Sequence, residues 1–266
     1  DKELIIDTNK FNTVVQKLRS FFLSKKFVET HTQNRLSILA ACEDPETVAT
    51  YMYKNPATQS LEVWPLPQTG QMWLEYELLT NPSLGGVFCV STSYRNEPNP
   101  VKGRHMTIFP MFEFEMIGEF NDLIKLELEL LKYLGFKTEH QVEYSDIAKI
   151  YDVEVLDNSH EEKLYKDYGS AVLLKNFPNT TSPFWNMKRN DDKKTAKKID
   201  VIMSGMETIG SAERSCDIEE MRTRFLNISG GMYAKLLYNQ FGRERVDREM
   251  DEFLAHKFIT RSGGGI

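Results

Sequence analysis

A chain of 266 residues fits one large domain or two modest ones. Its 41% apolar and 27% charged residues exclude collagen, coiled coil and wholesale disorder, and no apolar run approaches the roughly 18–20 residues of a membrane span. A net charge of −6 argues against a generic nucleic-acid coat while leaving room for a local basic patch.

Residues 9–25 carry Phe11, Val14, Val15, Leu18, Phe21 and Phe22 at the i, i+3, i+4, i+7 spacing of an amphipathic helix, capped by Asp7 or Thr8. A short strand is predicted at 27–30, then a mixed stretch with a loop and a short strand over 33–55. Residues 61–70 read as extended. QMWLEYELLT (71–80) reads as a helix ending at Asn81-Pro82. Residues 86–97 form a β-rich strand and 96–105 a polar loop. Residues 106–120 return as a strand, with Phe112, Phe114 and Met116 alternating against Glu113 and Glu115. The two strands and their loop read as an antiparallel hairpin. A helix follows at 121–136, then an irregular insertion over 138–168 with a helix near 159–168. Strands are predicted at 171–178, at 183–191 and as a pair within 199–215. Helices are predicted at 218–227, 232–242 and 244–258, and SGGGI closes the chain.

Cys42, Cys89 and Cys216 are isolated and read as reduced thiols of a cytoplasmic protein. The five histidines lack metal-ligand spacing, which argues against zinc. The chemistry gathers on the hairpin. Arg95 and Glu97, two apart, are expected on one face of a strand, with Arg104 and His105 at the far end of the loop and Glu113 and Glu115 on the return strand. Such a face is either a solvated set of salt bridges or a polyanion site with carboxylates placed for amines or a metal. Asp200 and Glu207 frame a turn, and two such carboxylates beside a triphosphate can hold Mg²⁺ through oxygen. Arg214 offers a planar fork for a carboxylate or amide oxygen. No P-loop and no dinucleotide-binding glycine motif is present, so any nucleotide is expected on an antiparallel sheet.

YRNE (94–97), GRH (103–105) and FPMFEFE (109–115) resemble motif 2 of the class II aminoacyl-tRNA synthetases. Residues 9–33 resemble motif 1, and 262–266 resemble the opening of motif 3. The stretch from NFP to ETIGSAER (176–214) is similar to the aspartyl/asparaginyl branch. The resemblance implies an α+β fold, an antiparallel sheet flanked by helices, in a single catalytic domain spanning 1–266. It implies a homodimer acting on ATP, Mg²⁺ and an amino acid, asparagine or aspartate, with no membrane and with tRNA as a possible partner.

By the same resemblance Arg95 is the catalytic residue, binding the ATP α-phosphate and the amino-acid carboxyl. Glu97 reads adenine, Arg104 and His105 hold the outer phosphates, and Phe109 stacks on the base, although a phenylalanine there also suits a core. Asp200 and Glu207 take Mg²⁺. Gln71, Glu75, Glu113 and Arg214 bind the amino acid, with Glu113 at its α-amino group and Arg214 at its side chain. Glu115 has a plainer reading, as partner of a nearby arginine. The segment Thr69-Gly70-Gln71-Met72-Trp73-Leu74-Glu75 follows the asparaginyl version, because aspartyl enzymes carry a lysine where Leu74 stands.

Three departures qualify the match. The anticodon-reading barrel is not expected ahead of the first helix, Gln33 stands in place of the motif 1 proline, and the chain ends before the motif 3 arginine. They keep two alternatives open: an ammonia-dependent asparagine synthetase paralogue using aspartate, and an inactive regulatory paralogue.

Overall fold

A computed structural model of the chain describes residues 6–100, 106–137 and 140–266. It divides into two compact units, one of Asp1–Phe114 with Phe225–Lys257 and one of Glu115–Arg224 with Phe258–Ile266.

The first unit opens with helix α1 (Thr8–Ser24). Asp7 caps it, accepting from the Asn9 and Lys10 amides at 3.0 Å each. Val15, Leu18, Phe21 and Phe22 are its buried stripe, while Val14, expected in that stripe, is exposed. Strand β1 (Val28–Glu29), helix α2 (Ile38–Ala41), hairpin strands β2 (Thr50–Lys54) and β3 (Leu61–Pro65), and helix α3 (Gln71–Thr80) follow. Strand β4 (Gly86–Tyr94) pairs parallel with β1, and β5 (Ile108–Ile117) lies beside β4. Phe22 is the hub of this unit's aromatic core, with ring centroids 5.0–6.0 Å from Phe27, Phe88, Phe112 and Phe114. Gln33 has φ 61°. A proline ring fixes φ near −65°, so this backbone has no place for the family proline.

In the second unit, helix α4 (Phe120–Leu134) closes with a capping box at its start. Residues predicted as irregular form strand β6 (His140–Glu143) and helix α5 (Tyr144–Ile150), and the helix expected near 159–168 is α6 (Asn158–Tyr168). Tyr144, Ile147 and Leu164 give this insertion a core against Leu174, Phe177 and Ile202. These last three lie on strands β7 (Ala171–Pro178) and β8 (Thr195–Met203), and β9 (Met206–Glu213) completes the hairpin. Residues 183–191 form no strand. They make only isolated bridges, Met187 to Arg214 and Arg189 to Ala196, because buried Arg189 ties the segment to Asn179, Met187 and Pro183 through its side chain. Helix α7 (Ile218–Asn227) ends near the division, helices α8 (Met232–Phe241) and α9 (Arg243–Leu254) belong to the first unit, and strand β10 (Arg261–Gly265) returns to the second.

The second unit's strands are ordered β10-β9-β8-β7-β6, with β10, β9, β8 and β7 pairing antiparallel and β6 parallel to β7. Glycine is required at 264 because a Cβ there would fall on the Gly210 carbonyl and on Ser211 of β9. Among the described residues no helix is long and apolar enough to cross a membrane.

Candidate active site

In the first unit, β4 stops at Tyr94, so Arg95 and Glu97 lie beyond the strand and the two-residue alternation does not place them. The Arg95 amide donates to the Thr107 carbonyl at 2.8 Å. Its Nη2 donates to Glu43 Oε2 at 2.8 Å, and the guanidinium carbon stands 5.8 Å from the Phe109 ring centroid. Among the described residues Arg95 Nε is buried without a hydrogen-bond partner, although a third of the side chain is exposed. An orphaned N–H on a partly open guanidinium fits an anionic oxygen. Glu97 and Phe109 are half-buried. Glu43 escaped the sequence reading. It sits in the loop after α2, which is held to the Arg95 segment by the Asn96 amide donating to the Thr47 carbonyl at 2.7 Å.

Glu113 is buried on β5. It accepts from Thr69 Oγ1, from the Gly70 amide at 2.7 Å and from Ser91 Oγ at 2.7 Å. Burial pushes its carboxyl above the usual range and these donors pull it back. A Cβ on Gly70 would lie 2.8 Å from Glu113 Oε2, so glycine is what lets the carboxylate reach the start of α3. Gln71 commits its Nε2 to the Phe114 carbonyl at 2.8 Å. Glu75 faces inward on α3 with 0% exposure. The solvated reading of the hairpin carboxylates therefore fails for Glu113 and Glu115, both of which are buried.

In the second unit, Arg214 is 5% exposed. Its Nε and Nη2 meet Glu115 at 3.2 and 3.4 Å, and Nη2 also donates to the Gly263 carbonyl at 3.1 Å. The plain reading of Glu115 holds, since its partner is the arginine expected to grip substrate. Asp200 and Glu207 come together over Gly210. A Cβ on Gly210 would stand 3.0 Å from Glu207 Oε1 and 3.8 Å from Asp200 Oδ1. The hairpin geometry explains this. The turn residues Ser204 and Gly205 both have positive φ, as a tight two-residue hairpin turn requires. A register shift between Val201 and Ile202 then re-aims Glu207 onto the face it would otherwise miss, three residues from Gly210. The Glu207 amide is held by Glu161 of α6 at 3.0 Å.

Two carboxylates converging over a residue without a side chain fit a hard cation, and Mg²⁺ needs only one or two protein carboxylates when phosphates supply other ligands. Among the described residues no cluster of three or more acidic, histidine or cysteine side chains could hold a metal on its own. Lys198 Nζ bonds both Asp200 oxygens, at 2.6 and 2.7 Å, and so competes with a cation. Lys198→Ala is expected to tighten Mn²⁺ binding by roughly tenfold in mildly alkaline buffer, about 1.4 kcal/mol. Electron paramagnetic resonance of free Mn²⁺ reads this, and unchanged affinity would contradict the competition.

Glu127 of α4 is fully buried. Ser211 Oγ donates to its Oε1, and Oε2 has no partner among the described residues. Burial pushes its carboxyl up to about 8. A carboxyl raised in the folded state binds more protons there than in the unfolded chain between the ordinary value and about 8, so stability falls as pH rises through that window. Glu127→Gln is expected to flatten the decline of the melting temperature from mildly acidic to mildly alkaline pH. An unaltered slope would assign the decline to other carboxyls. Arg104 and His105 lie outside the described residues.

A mostly antiparallel eight-stranded sheet flanked by helices is the class II synthetase fold. Its structural counterparts include the asparaginyl-tRNA synthetase of Pyrococcus horikoshii complexed with asparaginyl-adenylate, at TM-score 0.74 and 18% identity over 96% of this chain and 61% of that one. The aspartyl-tRNA synthetase of Entamoeba histolytica matches at TM-score 0.68 and 18% identity, over 95% and 51%. The family model for class II tRNA synthetases (D, K and N) matches residues 7–243, and the chain belongs to that family. Among curated relatives, the asparagine–tRNA ligase of Cytophaga hutchinsonii is 29% identical over 82% of this chain and 60% of its own length. The cytoplasmic asparagine–tRNA ligase of Debaryomyces hansenii is 26% identical over 59% and 35%. The chain thus spans about a third to three fifths of these relatives.

Proposed function

We propose that this chain activates asparagine with ATP as asparaginyl-adenylate, in the manner of an asparaginyl-tRNA synthetase. The observation that carries the proposal is Arg95, whose guanidinium is steadied by Glu43 and by Phe109 and keeps one buried N–H without a partner among the described residues. In this reading the substrate carboxylate attacks the α-phosphorus, the bond to the β-phosphate oxygen breaks and pyrophosphate leaves. No protein nucleophile takes part. Arg95 stabilises charge at the α-phosphate, Phe109 supports adenine and Glu97 reads its amino group. Asp200 and Glu207 hold Mg²⁺, which supplies positive charge to the phosphates when bound. Glu113 takes the α-amino group and Arg214 the side-chain oxygen. A cytoplasmic homodimer that charges tRNA completes the proposal.

Asparagine is favoured over aspartate because Glu75 is a wholly buried carboxylate in the segment that follows the asparaginyl pattern. A buried negative charge disfavours a second one and tolerates an amide. Glu75→Gln is expected to lower the preference for asparagine in ATP–pyrophosphate exchange by about tenfold to a hundredfold. Undiminished preference would remove Glu75 from the specificity account.

A further inference from the structure

The outward face of α4 carries a groove of about 660 Å³ that the proposed chemistry does not use. Its floor is Ile124, Leu128 and Phe136, all half-buried, and its rim is Lys125, Lys132 and Lys137, all exposed. Among the described residues Glu129 is the only carboxylate in the lining. Ile124 and Leu128 are one helical turn apart. Phe136 joins them because the helix ends in a Schellman turn: the Phe136 amide donates to the Leu131 carbonyl at 2.9 Å and the Gly135 amide to the Lys132 carbonyl at 3.1 Å. Gly135, with φ 92°, makes that reversal possible. Lysines near a helix C-terminus also answer its dipole, but Lys125 stands in the second turn, where that explanation does not reach.

We infer that this groove docks an acidic amphipathic helix of a partner protein. Three lysines around an apolar floor, on a chain of net charge −6, make a local field that selects an acidic ligand. Floor residues in an i, i+4 row accept the ridge of a second helix, and the 15-residue α4 offers about 22 Å of track. The floor is recessed between the lysines. A membrane surface is met instead by apolar side chains that project beyond their basic neighbours. Single-stranded nucleic acid is met by exposed rings on which bases stack, and Phe136 is half-buried.

The test uses the whole chain and a fluorescein-labelled peptide of leucines at i, i+4 and i+7 flanked by glutamates, read by fluorescence anisotropy. The inference expects saturable micromolar binding that weakens with added salt. Reversing Lys125→Glu and Lys132→Glu together should weaken it by about tenfold or more, with thermal melting and ATP–pyrophosphate exchange unchanged. Leu128→Gln should weaken it as well. A scrambled peptide of the same composition, a short single-stranded RNA and phosphatidylserine vesicles should bind less. Absence of peptide binding, equal binding by the charge-reversed chain, equal binding of the scrambled peptide, or preference for the RNA or the vesicles would each overturn it.

Discussion

Arg214→Ala is expected to abolish adenylate formation and also to destabilise the fold. Glu115 has 0% exposure and meets this guanidinium at 3.2 Å, so truncation leaves a buried carboxylate without its cation. Breaking a buried pair from one side costs about 3–5 kcal/mol, a large part of the 5–15 kcal/mol that holds a typical domain together. Arg214→Lys separates folding from function. It keeps a positive charge beside Glu115 and loses the fork that reaches Glu115 and the Gly263 carbonyl together. This variant should melt within a few degrees of the parent while exchange falls by about a hundredfold or more. Exchange retained in Arg214→Lys would mean that a point charge suffices and that the fork does not read the side-chain oxygen.

Arg95→Ala should lose activity without the cost in stability expected of Arg214→Ala: little change in melting and a loss of about a thousandfold in exchange. Its partner Glu43 is about half exposed, and such a pair contributes at most about 1 kcal/mol. Glu43→Gln is the companion variant. It frees Nη2 of Arg95 from a carboxylate while leaving the charge of the arginine in place. Melting curves together with exchange rates check both. If Arg95→Ala keeps near-parental exchange, the buried N–H of Nε has a structural reason and the ATP reading loses its main support.

How far the sequence carried depends on the kind of signal. Helix α3 was legible to the residue because Pro82 cannot continue a helix and the preceding run is mostly apolar. Helix α2 was not, since four residues show no period and its start is held by Ser37 and Glu249, the latter more than 200 positions away. Strand β10 has a glycine-rich sequence with no strand propensity and exists through its ladder with β9. In the insertion the helix near 159–168 was legible, but β6 and α5 were not, because their core closes only against Leu174, Phe177 and Ile202.

The site divides in the same way. Glu115 with Arg214 follows from alternation on one strand and a motif on another. Asp200 with Glu207 follows from a hairpin, although the register shift that aims Glu207 leaves no mark in the sequence. Glu43, in a proline-containing loop far from Arg95 in sequence, gave no signal. The expectation for Arg95 and Glu97 assumed a strand running to residue 97, whereas β4 stops at Tyr94.

The central claim is that this chain activates asparagine. ATP–pyrophosphate exchange by the whole chain, with asparagine and aspartate supplied separately, tests it most directly. The account predicts exchange with asparagine and far less with aspartate. Exchange with aspartate alone would contradict it, would overturn the reading of Leu74 and Glu75, and would favour an enzyme that activates aspartate for attack by ammonia.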